Sequence, residues 1–230
     1  MSTKLPAAYF PFLNELKENN HKEWMDAHKA EYKTLEKQFK QFCEDTKNQL
    51  NNFDEIERAK VFRINRDVRF SKNKNPYKTN RGAIFSRSGV QRRGSFYFQM
   101  APGASFAGGG FFKPESTDLL RIRKEFEFDA DPIRSILNQK EFKSVYGGFN
   151  TESQVKTAPK GFSKEDPNID LIKNKNFFVT HQYTDAEVLA EDFQQTLLQH
   201  FKLLLPFFDY MSEVLTTDLN GESIIYLSKS

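Results

Sequence analysis

Three short segments between Gly82 and Phe112, GAIFSRS, GSFYFQM and SFAGGGFF, have strand character and are joined only by SGVQRRG and APGA. A parallel neighbour needs a crossover of a dozen or more residues, so connections this short pair the three segments antiparallel. The helical patterns lie outside this block. From Asn20 to about Phe53, Trp24, His28, Tyr32, Leu35, Phe39, Phe42, Leu50 and Phe53 recur at three- and four-residue spacings, with one polar slip at Thr46. That periodicity predicts one long amphipathic helix, capped at Asn20 and carrying Glu23 in its first turn. A shorter helix is expected around Phe10 to Leu16, and Pro114 and the Asp131-Pro132 pair open two more. FFVTHQY at 177–183 reads as a strand, and Thr184 with Glu187 forms a capping box for a last long helix. Its stripe of Leu189, Phe193, Leu197, Phe201, Leu204, Phe208 and Leu215 is expected to kink or split at Pro206. Residues 61–70, VFRINRDVRF, place Phe62, Ile64, Val68 and Phe70 on one face and are expected to be a strand. Arg66 interrupts that face and there requires a carboxylate or a bound anion. The expected architecture is one α+β domain spanning 1–230, a largely antiparallel central sheet packed against long N- and C-terminal helices.

Phe is the main core filler, at 24 residues against 18 Leu, although Leu is usually among the commonest residues. Cys43 is the only cysteine, so no internal disulfide forms and a cysteine-based metal site is excluded. It sits on the Phe39 and Phe42 side of its helix, which favours a buried, inert thiol over a nucleophile. The N-terminus lacks the pattern of a signal peptide and no apolar run approaches 18 residues. The expectation is a cytoplasmic protein without membrane contact. His21, His28, His181 and His200 form no metal-binding pattern, and His28 reads as a hydrogen-bonded core residue. No cofactor is indicated.

Charge is concentrated at one place. Residues 58–93 carry twelve Lys or Arg and a single acid, Asp67, for a net +11; the whole chain is +3, so the remainder is −8. Such an island attracts anions locally. Within it, RINRDVRFSKNKNPYKTN resembles the signature R-x-x-R-D-x-R-F-x-x-[DN]-K-x-x-Y of a bacterial family known as domain of unknown function 2461, through Arg63, Arg66, Asp67, Arg69, Phe70, Asn73, Lys74 and Tyr77. FLNELKENNHKEWMDAHKAEY, GGGFFKPES, LLRIRKEF, APKGFSKEDP and NKNFFVTHQYTDAEV resemble the same family, so the likeness covers nearly the whole chain. It implies a single-domain α+β protein and assigns no catalytic roles.

The candidate site is therefore argued from residue chemistry. Arg63, Arg66 and Arg69 offer guanidinium forks for a phosphate or carboxylate, with Asp67 orienting one of them. The alternative is a salt-bridged face whose partners lie on acidic helices. Lys74, Tyr77 and Lys78 extend the patch into a loop that either closes over an anion or is a solvated turn. Gly108, Gly109 and Gly110 either lend backbone amides to the same anion, facing the arginines across the sheet, or mark a tight bulge or strand crossing. The expected ligand is a small phosphorylated or carboxylated molecule. Nucleic acid, stacking on Phe70, Tyr77 or Tyr97, and an acidic protein partner are the rival uses of the patch. The acidic remainder of the chain disfavours a long polyanion.

Overall fold

The computed structural model describes residues 3–152 and 154–225. The chain opens with α1 (Tyr9–Glu18), α2 (Lys22–Ala27) and α3 (Lys29–Leu50), followed by four strands: β1 (Ile56–Val61), β2 (Arg81–Arg87), β3 (Ser95–Met100) and β4 (Ser105–Phe111). Helices α4 (Ser116–Phe128), α5 (Asp131–Leu137), α6 (Lys140–Tyr146) and α7 (Ile169–Ile172) lead to β5 (Phe177–Tyr183). The last helices are α8 (Asp185–Leu189), α9 (Phe193–Leu203) and α10 (Leu205–Thr216). The strands form one antiparallel sheet in the order β1-β2-β3-β4-β5, and the α+β class follows. No helix among the described residues is long and apolar enough to cross a membrane.

The expected N-terminal helix is interrupted at His28. Its Nδ1–H donates to the Trp24 carbonyl at 2.8 Å and its ring stacks on the Trp24 indole, 3.9 Å between centroids. His28 leaves helical geometry (φ −99°, ψ 13°), and the pattern divides into α2 and α3 there. The N-cap is His21, whose Nδ1 accepts from the Trp24 amide, and not Asn20. Asn20 instead clamps Tyr77, its amide bonding both the Tyr77 N–H and carbonyl at 3.0 and 3.1 Å. At the other end, the capping box of Thr184 and Glu187 forms as expected, but the helix it starts is only α8. Pro206 then falls in the first turn of α10, so the stripe is split between α9 and α10.

The expected strand at 61–70 does not form. β1 ends at Val61, and the backbone then makes an excursion closed by an isolated antiparallel bridge between Asn65 and Tyr77. Apolar alternation failed as a signal because only Ile64 of that face is buried, whereas Phe70 is 97% exposed.

Contacts gather into two compact units. The first comprises Met1–Ser86, Tyr97–Ala107 and Gln182–Gln199. Its core is aromatic: Phe98 meets Phe39, Phe42 and Phe193, while Tyr9 packs edge-on against Phe12 and Phe39. The second comprises Arg87–Phe96, Gly108–His181 and His200–Ser230. There Phe96 packs on Phe201 and Phe208, and Phe111 meets Phe207 and Phe208 edge-on. Ring pairs of this kind contribute about 0.5–1.5 kcal/mol each beyond burial, and they account for the Phe-rich composition.

Candidate functional site

The bases of the island divide by burial. In the second unit, Arg87 donates to Asp209 at 2.9 Å and Arg93 pairs with Asp118. In the first, Arg81 at the start of β2 is fully buried and grips Glu36 of α3 by two hydrogen bonds, Nε to Oε2 at 2.9 Å and Nη2 to Oε1 at 2.7 Å. The Tyr9 hydroxyl donates to the same Oε2 at 2.9 Å. Burial works against the Arg81 charge, but Tyr9, Glu36 and Tyr32 outweigh it and hold the guanidinium above its ordinary value. Burial in turn pushes the Tyr32 hydroxyl up to about 12. These arginines hold the fold together.

The signature residues mostly build their own loop. Arg66 meets no carboxylate among the described residues: its Nη1 donates to the Asn75 carbonyl at 2.9 Å and its Nη2 to Ser71 Oγ at 3.3 Å. A half-exposed side chain that reaches two neutral oxygens across its own turn has no need of an anion. Lys74 donates to the Val68 carbonyl at 3.0 Å. Asp67 does orient an arginine, accepting from Arg69 Nε at 3.0 Å and Nη2 at 2.7 Å. Those bonds, with one from the Arg69 amide, hold the Asp67 carboxyl below its ordinary value. Tyr77 is buried under the Asn20 clamp.

Arg63 and Lys78 differ. Arg63 is exposed and forms no hydrogen bond or ion pair among the described residues. Lys78 lies over the Phe62 ring at 5.4 Å, and its ammonium is pushed below its ordinary value by burial and then by Arg81 and Arg63. Positive charge is in local excess here.

Arg63 also lines a cleft of about 870 Å³ within the first unit. Ala59, Val61 and Ile64 give it an apolar wall, and Gln41 and Asn65 bring side-chain amides. Lys33, Lys37 and Lys40 line it from successive turns of α3. With Arg63 they make four cations against two lining carboxylates, Glu36 and Glu44, an excess of two positive charges. Glu36 is committed to Arg81 and Tyr9, with Lys40 at 3.7 Å, so it is not a free base. Cys43 is buried, which pushes its thiol well above the ordinary range and leaves it unreactive. Among the described residues, no three His, Cys, Asp or Glu come together to hold a metal ion.

Gly108, Gly109 and Gly110 belong to the second unit, where neighbouring chain fills the space a side chain would need. A Cβ on Gly108 would lie 1.9 Å from the Val179 carbonyl oxygen, and one on Gly110 2.2 Å from that of Phe177. One on Gly109 would lie 2.7 Å from the Phe208 ring. The run is the close approach of β4 to β5 and to the C-terminal helices.

A family model described as conserved hypothetical protein (DUF2461) matches residues 8–210. The chain belongs to that family. No curated protein and no solved structure matches it. In this DUF2461 member, only Arg63 of the nominated residues reaches the cleft. The lysines at 33, 37 and 40 were legible as one helix face, but nothing local marked that face as opposite Arg63. Arg81 was legible as a base and not as a buried one, because its partner Glu36 lies 45 residues away.

Proposed function

We propose that this DUF2461 protein binds a small phosphorylated or carboxylated ligand in the cleft beside α3 and β1, with Arg63 as the anchoring cation. What carries the reading is that Arg63 lines the cleft with its guanidinium bonded to no acceptor among the described residues. Lys33 and Lys37 extend the positive rim, and Lys78 lies close enough to Arg63 and Arg81 for their charge to disfavour its own. An oxyanion held at Arg63 offsets that local excess of positive charge, and the guanidinium fork suits planar, bidentate acceptance. The reading is one of binding, in a bacterial cytoplasm that holds phosphorylated metabolites and keeps Cys43 reduced.

Thermal denaturation against phosphate, sugar phosphates, nucleotides and dicarboxylates tests it. A ligand at one hundred times its Kd adds about 2.7 kcal/mol, which raises the Tm of a chain this long by roughly 5–10 °C. Arg63→Ala is expected to abolish the shift while leaving the unliganded Tm unchanged. Failure of every compact anion to raise the wild-type Tm rules the reading out.

A further inference from the structure

Beyond Asn65 at its base, the loop of residues 65–77 is the part of the signature that the cleft does not use. Its construction is specific. The Asn65–Tyr77 bridge closes its base, and the Arg66 N–H donates to the Pro76 carbonyl at 2.8 Å. Arg66 spans the interior to Asn75 and Ser71, Lys74 reaches the Val68 carbonyl, and Asn73 accepts from the Asn75 amide at 2.9 Å. Polar side chains thus bond inward to the loop itself, while its one large apolar side chain, Phe70, is 97% exposed. The Arg69 guanidinium, held by Asp67, stands 6.0 Å from the centre of the Phe70 ring. Lys72 follows, exposed and bonded to nothing among the described residues.

We infer that this loop is a recognition element for single-stranded nucleic acid, in which Phe70 stacks on an unpaired base and the flanking cations hold the neighbouring phosphates. An aromatic ring stacks on any base, and a base in a strand carries a phosphate on either side. Phe70 has a cation before it, Arg69, and two after it, Lys72 and Lys74. Val68 is half-buried, so the ring has no apolar companion on the loop to anchor it in a bilayer. An apolar pocket in an acidic protein also fits a single knob, but it makes no use of cations on both sides of a flat ring. The −8 charge of the chain outside 58–93 limits the partner to a short stretch of strand.

Fluorescence anisotropy with labelled single-stranded DNA and RNA of about eight nucleotides, and with a duplex of equal length, decides the point. Single strands are expected to bind in preference to duplex, and Phe70→Ala to weaken them by roughly 5- to 150-fold, the usual worth of one stacked base. Phe70→Trp should restore binding. Because the ring is solvent-exposed, both variants should melt with the wild type, which separates lost stacking from lost fold. Two to three neutralised phosphates give a log–log salt slope of roughly −1.4 to −2.1 on a single strand. Equal binding by Phe70→Ala, equal affinity for duplex, or no binding at low salt overturns the inference, the last result favouring the acidic protein pocket.

Discussion

Arg66 and Asp67 illustrate what a charged side chain achieves when its partners lie within a few residues. Arg66 closes its loop through two hydrogen bonds to neutral oxygens, each contributing about 0.5–1.5 kcal/mol net. Arg66→Ala is accordingly expected to lower the Tm by about 2–12 °C and to leave anion binding in the cleft intact, which calorimetry on one sample checks for both quantities. Asp67 has a folded-state value below its unfolded one because of the Arg69 side chain and amide. Its contribution is present in full above the unfolded value of about 3.9 and is lost as the pH falls through the lower, folded value. An NMR titration of the Arg69 amide should therefore show a midpoint under about 3.9, and Asp67→Asn should erase it.

At the scale of elements, the tie between β2 and α3 is the Arg81–Glu36 pair, completed by the Tyr9 hydroxyl from α1. Removing one partner leaves the other charge buried, which costs about 3–5 kcal/mol. Arg81→Ala is expected to lower the Tm by roughly 6–20 °C, whereas the double change Arg81→Leu with Glu36→Leu should recover most of it, since a packed apolar pair of similar size is often neutral. Equal losses in the single and double variants would show that shape, not charge, holds these elements. The same helix carries Cys43, at 1% exposure.

For the whole molecule, the phenylalanines form an aromatic core in each compact unit, and island bases meet carboxylates far along the chain, among them Arg81 with Glu36, Arg87 with Asp209 and Arg93 with Asp118. The island is thus partly an internal counter-charge to the acidic remainder of the chain, and its anion-attracting share is smaller than +11. Cys43 offers a probe of folding for the first unit. Labelling by a thiol reagent is expected to be no faster than unfolding, and to accelerate with denaturant along the unfolding curve; rapid labelling of the native protein would contradict its burial.

The antiparallel strands from Gly82 to Phe112, the Thr184 capping box, the aromatic core and the family were all determined by the sequence alone. Each is local in origin: short connections permit one kind of pairing, a capping box closes within three residues, and a signature is contiguous. The N-terminal helix boundary and the conformation of residues 61–70 depart from the sequence pattern because period and alternation record where apolar residues fall, not which of them find a neighbour. Phe70 keeps the alternation and stays in solvent; His28 keeps the stripe and ends a helix by bonding Trp24. Only the tertiary structure decided which arginines were already spent on carboxylates and which, like Arg63, were left to face a cleft. Pairing energies depend on distance in space, and a sequence places Glu36 no closer to Arg81 than to any other base.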